Sequence, residues 1–250
     1  MTATAAASIA LSACSTAGSR SVRAYPGSWL QMGAYAGAGN ARSTYAAVSD
    51  GGHEIPAVPI GKVDPRFYRQ VVRDPTGEAP GTVVIDTSQH FLYLVQADGQ
   101  AIRYGVGLGR QGFEWAGRGV IQWKQEWPRW FPPNEMIDRR PDLEQYRARQ
   151  VRGTNVWNGG MDAGVDNPLG ARALYIYQNG KDTLYRLHGS PEWWSIGRSV
   201  SSGCVRLINQ DIIDLYARVP DGTPIIVTNG LMSSAQQPGV FRISSDVLRL

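Results

Sequence analysis

The chain has 250 residues but only two cysteines and three histidines. One of each falls within a short distance: His188 in "TLYRLHGS", and Cys204 sixteen residues later in "SIGRSVSSGCVRL". A thiol is mostly protonated at neutral pH, with a pKa of about 8.5. An imidazole within hydrogen-bond reach can take that proton and later return it to a leaving amine. The small residues Ser201-Ser202-Gly203 ahead of Cys204 let backbone N–H groups turn toward a developing oxyanion, a contribution of about 3 kcal/mol per donor. Gly203 allows dihedrals barred to other residues. Cys204 thus reads as a nucleophile and His188 as its general base and acid. His53 and His90 lack such a setting and read as structural. No HExxH or HxxH spacing exists, so no metal site is expected. "GVGLGRQG" continues into β-like sequence instead of the helix that a dinucleotide fingerprint needs, so no cofactor is expected.

Strands must present these groups. "TVVIDTS" and "HFLYLVQADGQAIRYGVGLG" alternate β-branched and aromatic residues around Asp98-Gly99, and "ARALYIYQNGKDTLYRLHGS" does so around Asn179-Gly180; both dipeptides are hairpin turns. In the second arm, alternation puts Leu184, Arg186 and His188 on one face and Tyr185 and Leu187 on the other. After Cys204, Ile212, Leu215, Tyr216 and Val219 recur at helical spacing, with Asn209 as the expected N-cap and Pro220-Asp221-Gly222 as the stop. "TPIIVTN" supplies a last strand. Residues 123–165 hold four Trp (123, 127, 130 and 157) and read as a long aromatic insertion; Trp127–Trp130 is expected to form a lid, the alternative being core filling. Asp142–Arg149 could make a short helix. The fold class is mostly β with one main helix.

The expected organisation is a segment 1–14, a flexible Gly/Ala/Ser/Pro-rich tether 15–80 with a short lead-in around "PRFYRQVVR", a catalytic domain 81–229 and a tail 230–250. A net charge of +4 is dispersed, with no Lys/Arg block, so nucleic acid is not an expected partner. No apolar run reaches the length of a spanning helix. "LSAC" at Leu11–Cys14 resembles a bacterial lipobox, with Cys14 as the lipidated residue, although the usual basic n-region is missing. The alternative is a disordered Ala/Ser tail. With Cys14 acylated, Cys204 has no disulfide partner.

Taken together, "LHGS…SIGRSVSSGCVRL" resembles the L,D-transpeptidase catalytic-domain family (YkuD-type, ErfK/YbiS-like). The matching pieces are His188-Gly189, Ile196-Gly197, Ser201-Ser202-Gly203-Cys204 and Arg206-Leu207, with "WPRWFPPNEMI" and "NPLGARALYI" as further matches. The resemblance implies a β-sandwich-like domain whose Cys attacks a peptidoglycan stem tetrapeptide at the carbonyl of the third residue and expels D-alanine. An amine acceptor then takes the thioester. By position Cys204 is the nucleophile, His188 the base, the Gly189 carbonyl the group orienting the ring, and Gly203 part of the oxyanion hole. Ser201, Ser202, Arg206 and Trp130 are the expected substrate contacts, Arg206 bracing the loop or meeting a carboxylate. Many members have His where this chain has Ser202, so a second imidazole beside the thiol is absent.

These features point to an envelope L,D-transpeptidase of a Gram-negative periplasm, held at the outer membrane by a lipid anchor only. It would make 3-3 cross-links or attach envelope proteins. Two alternatives stay open: a hydrolytic relative that gives the thioester to water (L,D-carboxypeptidase or amidase), and a non-catalytic wall-binding lipoprotein, which would not need a thiol in a glycine turn.

Overall fold

The computed structural model describes residues 41–109, 116–201 and 203–231. One mixed sheet contains nine strands: β1 (Gln70–Arg73), β2 (Val83–Asp86), β3 (Phe91–Val95), β4 (Gln100–Gly105), β5 (Gly117–Glu126), β6 (Arg172–Gln178), β7 (Lys181–Ser190), β8 (Val205–Ile208) and β9 (Thr223–Thr228). Across the sheet the order is β8-β7-β6-β5-β9-β2-β3-β4-β1. β8 lies parallel to β7, and β9 parallel to β2; the other neighbours are antiparallel. Among the described residues, three α-helices accompany it: α1 (Ala41–Thr44), α2 (Asn134–Arg139) and α3 (Asn209–Arg218).

The expected turns form because their residues accept left-handed backbone. Asp98 and Gly99 have φ of 60° and 68°, and Asn179 and Gly180 have φ of 51° and 75°. Leu92 and Leu94 of β3 share one core with Leu174 and Ile176 of β6, Leu187 of β7, Leu207 of β8, and Ile212 and Leu215 of α3. Residues from both ends of the sheet meet only if it folds over on itself, so the domain is sandwich-like. α3 closes one side of this core and stops where Pro220 and Gly222 (φ 84°) cannot continue it.

The reading of residues 15–80 as a flexible tether fails over 41–80. Tyr45 and Ile55 are buried, Val48–Asp50 pairs with His53–Ile55 as a hairpin, and β1 is the edge strand of the main sheet. Single apolar residues anchor this stretch, which is why no periodicity marks it. Polar contacts tie it to α3: the Tyr45 hydroxyl donates to Asp211 at 3.0 Å, and Gln210 Nε2 donates to the carbonyls of Ala46 and Pro56. Residues 1–40, with Cys14 and the expected export segment, lie outside the described residues, as do 232–250 of the tail.

Two more readings need correction. Trp123 belongs to β5, so the irregular stretch starts at Trp127; it contains α2, a 3-10 turn at Pro141–Tyr146 in place of a helix over 142–149, and a minimal pairing of Arg149–Gln150 with Trp157–Asn158. Nor does Trp127 swing free as part of a lid. Its indole N–H donates to Asp50 at 2.8 Å, its ring lies 4.0 Å from that of His53, and its own φ is 42°. Asp50 also accepts both arms of the buried Arg172 guanidinium, at 2.7 and 2.9 Å. Burial works against this carboxylate, but the Arg172 bonds and charge and the Trp127 bond outweigh it and hold its pKa below the ordinary range. Asp50→Ala should therefore cost about 2–4 kcal/mol in urea unfolding, because Arg172 stays buried without its partner. Since the folded pKa is depressed, the stabilisation is present above the unfolded value near 4 and fades as pH falls below it. An unchanged midpoint would show that the hairpin contributes nothing to the domain.

Candidate active site

His188 lies near the end of β7 and Cys204 immediately before β8. The parallel register pairs Leu187 with Val205, His188 with Arg206 and Gly189 with Leu207. Leu187, Val205 and Leu207 point into the core. Alternation then turns Arg186, His188 and Arg206 to the opposite face, and extending the register by one residue sets Cys204 beside Arg186. The Arg186 backbone hydrogen-bonds to the Cys204 sulfur, in agreement with that placement.

The His188 ring is buried, and its Nδ1 is 2.6 Å from the carbonyl oxygen of Gly189. A carbonyl only accepts, so Nδ1 carries the proton and Nε2 keeps the basic lone pair. Burial pushes the imidazole down to about 4; the Gly189 and Pro168 carbonyls oppose this, and the Arg206 cation reinforces it. Cys204 is a half-buried thiol. Burial raises its pKa, against the Arg186 backbone bond and the positive charges of Arg186 and Arg206. Both groups are therefore neutral at physiological pH. This arrangement suits proton transfer during attack better than a standing thiolate–imidazolium pair.

Gly189 and Gly203 are glycines for different reasons. A Cβ on Gly189 would come within 2.3 Å of Asn209 Oδ1 and 2.9 Å of Ile212, so α3 could not pack against the strand. At Gly203 a Cβ would meet only ordinary contact with the Tyr185 ring, but a φ of 131° bars other residues. Asn209, expected as the N-cap, is instead the first helical residue, and Ile208 is the cap. Its side-chain oxygen accepts the Ala171 N–H at 3.0 Å, binding α3 to the start of β6. The buried Asn167 extends this anchorage by donating to the carbonyls of Pro128, Met161 and Asp162, at 3.1, 3.2 and 3.0 Å.

Arg206 braces the loop. Its guanidinium pairs with Glu192, and its backbone exchanges two 2.9 Å hydrogen bonds with Gly107. Ser201 ends a short strand, Ser199–Ser201, parallel to Leu108–Gly109. Ser202 lies outside the described residues. Trp130 is half-buried and held by backbone bonds to Met161; no described contact joins it to His188 or Cys204. His90 (φ 59°) reaches the same loop, its Nε2 lying 3.1 Å from Ser199 Oγ. Short-range pattern does not mark Glu192 or Pro168 as supports, since their partners are distant along the chain. Arg186 was visible as sharing the His188 face.

A thiol and an imidazole thus stand on adjacent parallel segments of a folded-over sheet. The family model for the YkuD L,D-transpeptidase catalytic domain matches residues 80–227, more than half of the chain. The chain belongs to this family. It is 30% identical over 159 residues to "Probable L,D-transpeptidase ErfK/SrfK" of Escherichia coli, covering 62% of this chain and 46% of that protein. It is also 30% identical over 162 residues to "Probable L,D-transpeptidase YbiS" of the same organism, covering 63% and 47% respectively. The chain thus spans about half the length of these curated relatives. Among solved structures, a Brucella melitensis protein described as a probable carnitine operon oxidoreductase is 46% identical, with 68% of this chain and 99% of that one covered and a TM-score of 0.42. An L,D-transpeptidase from Mycobacterium smegmatis is 16% identical, with 73% and 65% covered and a TM-score of 0.40. At such TM-scores neither superposition bears on the assignment.

Proposed function

We propose that this protein is an envelope L,D-transpeptidase in which Cys204 is the nucleophile and His188 the general base. The observation that carries the reading is the His188 ring, fixed by Gly189 on the strand beside Cys204, with both groups held neutral. Cys204 sulfur attacks the carbonyl of the third residue of a peptidoglycan stem tetrapeptide while its proton passes to His188 Nε2. Backbone N–H groups at Gly203 and Cys204 receive the oxyanion. Collapse breaks the bond to the terminal D-alanine, whose amine leaves with the proton from His188, and a thioester remains. An amine of a second stem peptide or an envelope protein then attacks, His188 takes its proton, and collapse returns that proton to the thiol. Arg206 acts by bracing, since Glu192 already occupies its guanidinium; Ser201, Ser202 and Trp130 would line the substrate path.

Residues 81–229 are the catalytic domain in this reading, and Cys14 is a lipid anchor holding the protein in the periplasm at the outer membrane. Intact-mass analysis of the membrane-extracted protein with purified tetrapeptide muropeptides tests the whole reading. The expected results are a lipidated N-terminus, a thioester adduct that has lost D-alanine, and 3-3 linked or protein-linked product. Tripeptide alone would assign the thioester to water. Absence of any adduct would refute the enzyme.

A further inference from the structure

On the His188 face of the sheet, three neighbouring strands carry one lateral row. Tyr175 of β6 is in register with Trp123 of β5 on one side and with Arg186 of β7 on the other. Continuing the row by one strand reaches Cys204. The Trp123 and Tyr175 rings are stacked, with centroids 3.6 Å apart and planes within 8°. The Arg186 guanidinium lies 4.4 Å from the Tyr175 ring and is fixed by both Asp182 oxygens, at 2.7 and 2.8 Å. Tyr175 also donates to Gln125 at 3.1 Å. The shelf is therefore rigid before any ligand arrives, although Trp123 is 38% exposed. Among the described residues, no ring covers the other face of that indole.

We infer that the Trp123–Tyr175 shelf is a subsite for the sugar that carries the donor stem peptide. Distance supports this occupant. Three strand spacings separate Trp123 from Cys204, about 14 Å. From the attacked carbonyl back through three extended residues is about 10 Å, and the γ-linkage of the second residue and the lactyl ether bring a muramyl ring to about 14 Å. Chemistry supports it too. The electron-rich face of an indole attracts the weakly positive C–H groups of a pyranose ring, and a ring already ordered loses little entropy on binding. A peptide side chain would gain as much from the ring but would not match the distance.

The inference rests on the transpeptidase reading for its reaction, yet the two can fail separately. KM should be compared for a free tetrapeptide and a disaccharide-tetrapeptide, using the unaltered protein, Trp123→Ala and Trp123→Phe. In Trp123→Ala we expect KM to rise about tenfold for the disaccharide donor and less than about twofold for the free peptide, with kcat unchanged. Trp123→Phe should restore most of the loss. An equal rise for both donors, or none, overturns the subsite. Titration with the free N-acetylglucosaminyl-N-acetylmuramic acid disaccharide, followed by the Trp123 indole NMR signal, gives a second readout. If the unaltered protein turns over neither donor, the transpeptidase reading falls, and that signal alone decides whether the sugar binds. No shift at millimolar disaccharide overturns the inference.

Discussion

Cys204→Ala should fold as the wild type does and form neither acyl-enzyme nor cross-linked product. No other group in the mechanism can hold the acyl chain, so turnover should drop by more than about a thousandfold. The alanine removes one sulfur from a half-buried position, and the strand beyond it keeps its pairing, so the melting temperature should move little. Loss of mass addition in the presence of tetrapeptide is the primary measurement. Turnover within tenfold of wild type would mean that the thiol is a bystander.

His188→Gln should lower the acylation rate on the order of 10²-fold or more, through loss of the general base. Its pH behaviour is more diagnostic. With the folded imidazole at about 4, the wild-type rate should hold through neutrality and fall only as pH drops through that value and the ring becomes protonated. The variant should lack this limb. Stability gives an independent reading. The unfolded ring takes its proton near 6.5, whereas the folded ring resists until about 4. Between those values the unfolded state binds more protons, so wild-type stability falls as pH is lowered across the window, by on the order of 3 kcal/mol. Glutamine cannot titrate, and the difference between the two proteins should flatten accordingly. A wild-type limb near 6.5 would show that the ring is more hydrated than its packing implies.

Local chemistry made part of the domain legible in sequence. The two hairpin turns, the alternation that separates Arg186 and His188 from Leu187, and the periodicity of α3 are all set by residues close in sequence. The candidate site was equally local, because one strand end and one glycine turn carry the proposed base and nucleophile. What could not be read depends on distant partners. Tyr45 meets Asp211 across 166 residues, and Asp50 meets Arg172 across 122, so the segment over 41–80 looked like a tether. Asn209 has the chemistry of an N-cap, but the Ala171 N–H competes successfully for its oxygen. Trp123 looked like one of four similar tryptophans; its cross-strand pairing with Tyr175, which short-range pattern does not reveal, gives it surroundings different from those of Trp127.

The position of β9 bears on how the chain reaches this fold. β9 is the last of the nine strands in sequence, yet it lies between β5 and β2 and pairs with both. Until Thr223–Thr228 is available, β2–β3–β4–β1 and β5–β6–β7–β8 are two separate half-sheets with bare inner edges. A chain emerging N-terminus first therefore cannot complete its core before β9 has been made. Joining the halves pairs Val83 with Ile225, residues more than a hundred positions apart, and such long loop closures make folding slow. Over that interval the polypeptide stays open, a state compatible with threading through a narrow translocation pore, and its exposed strand edges need protection from self-association until the final strand is in place.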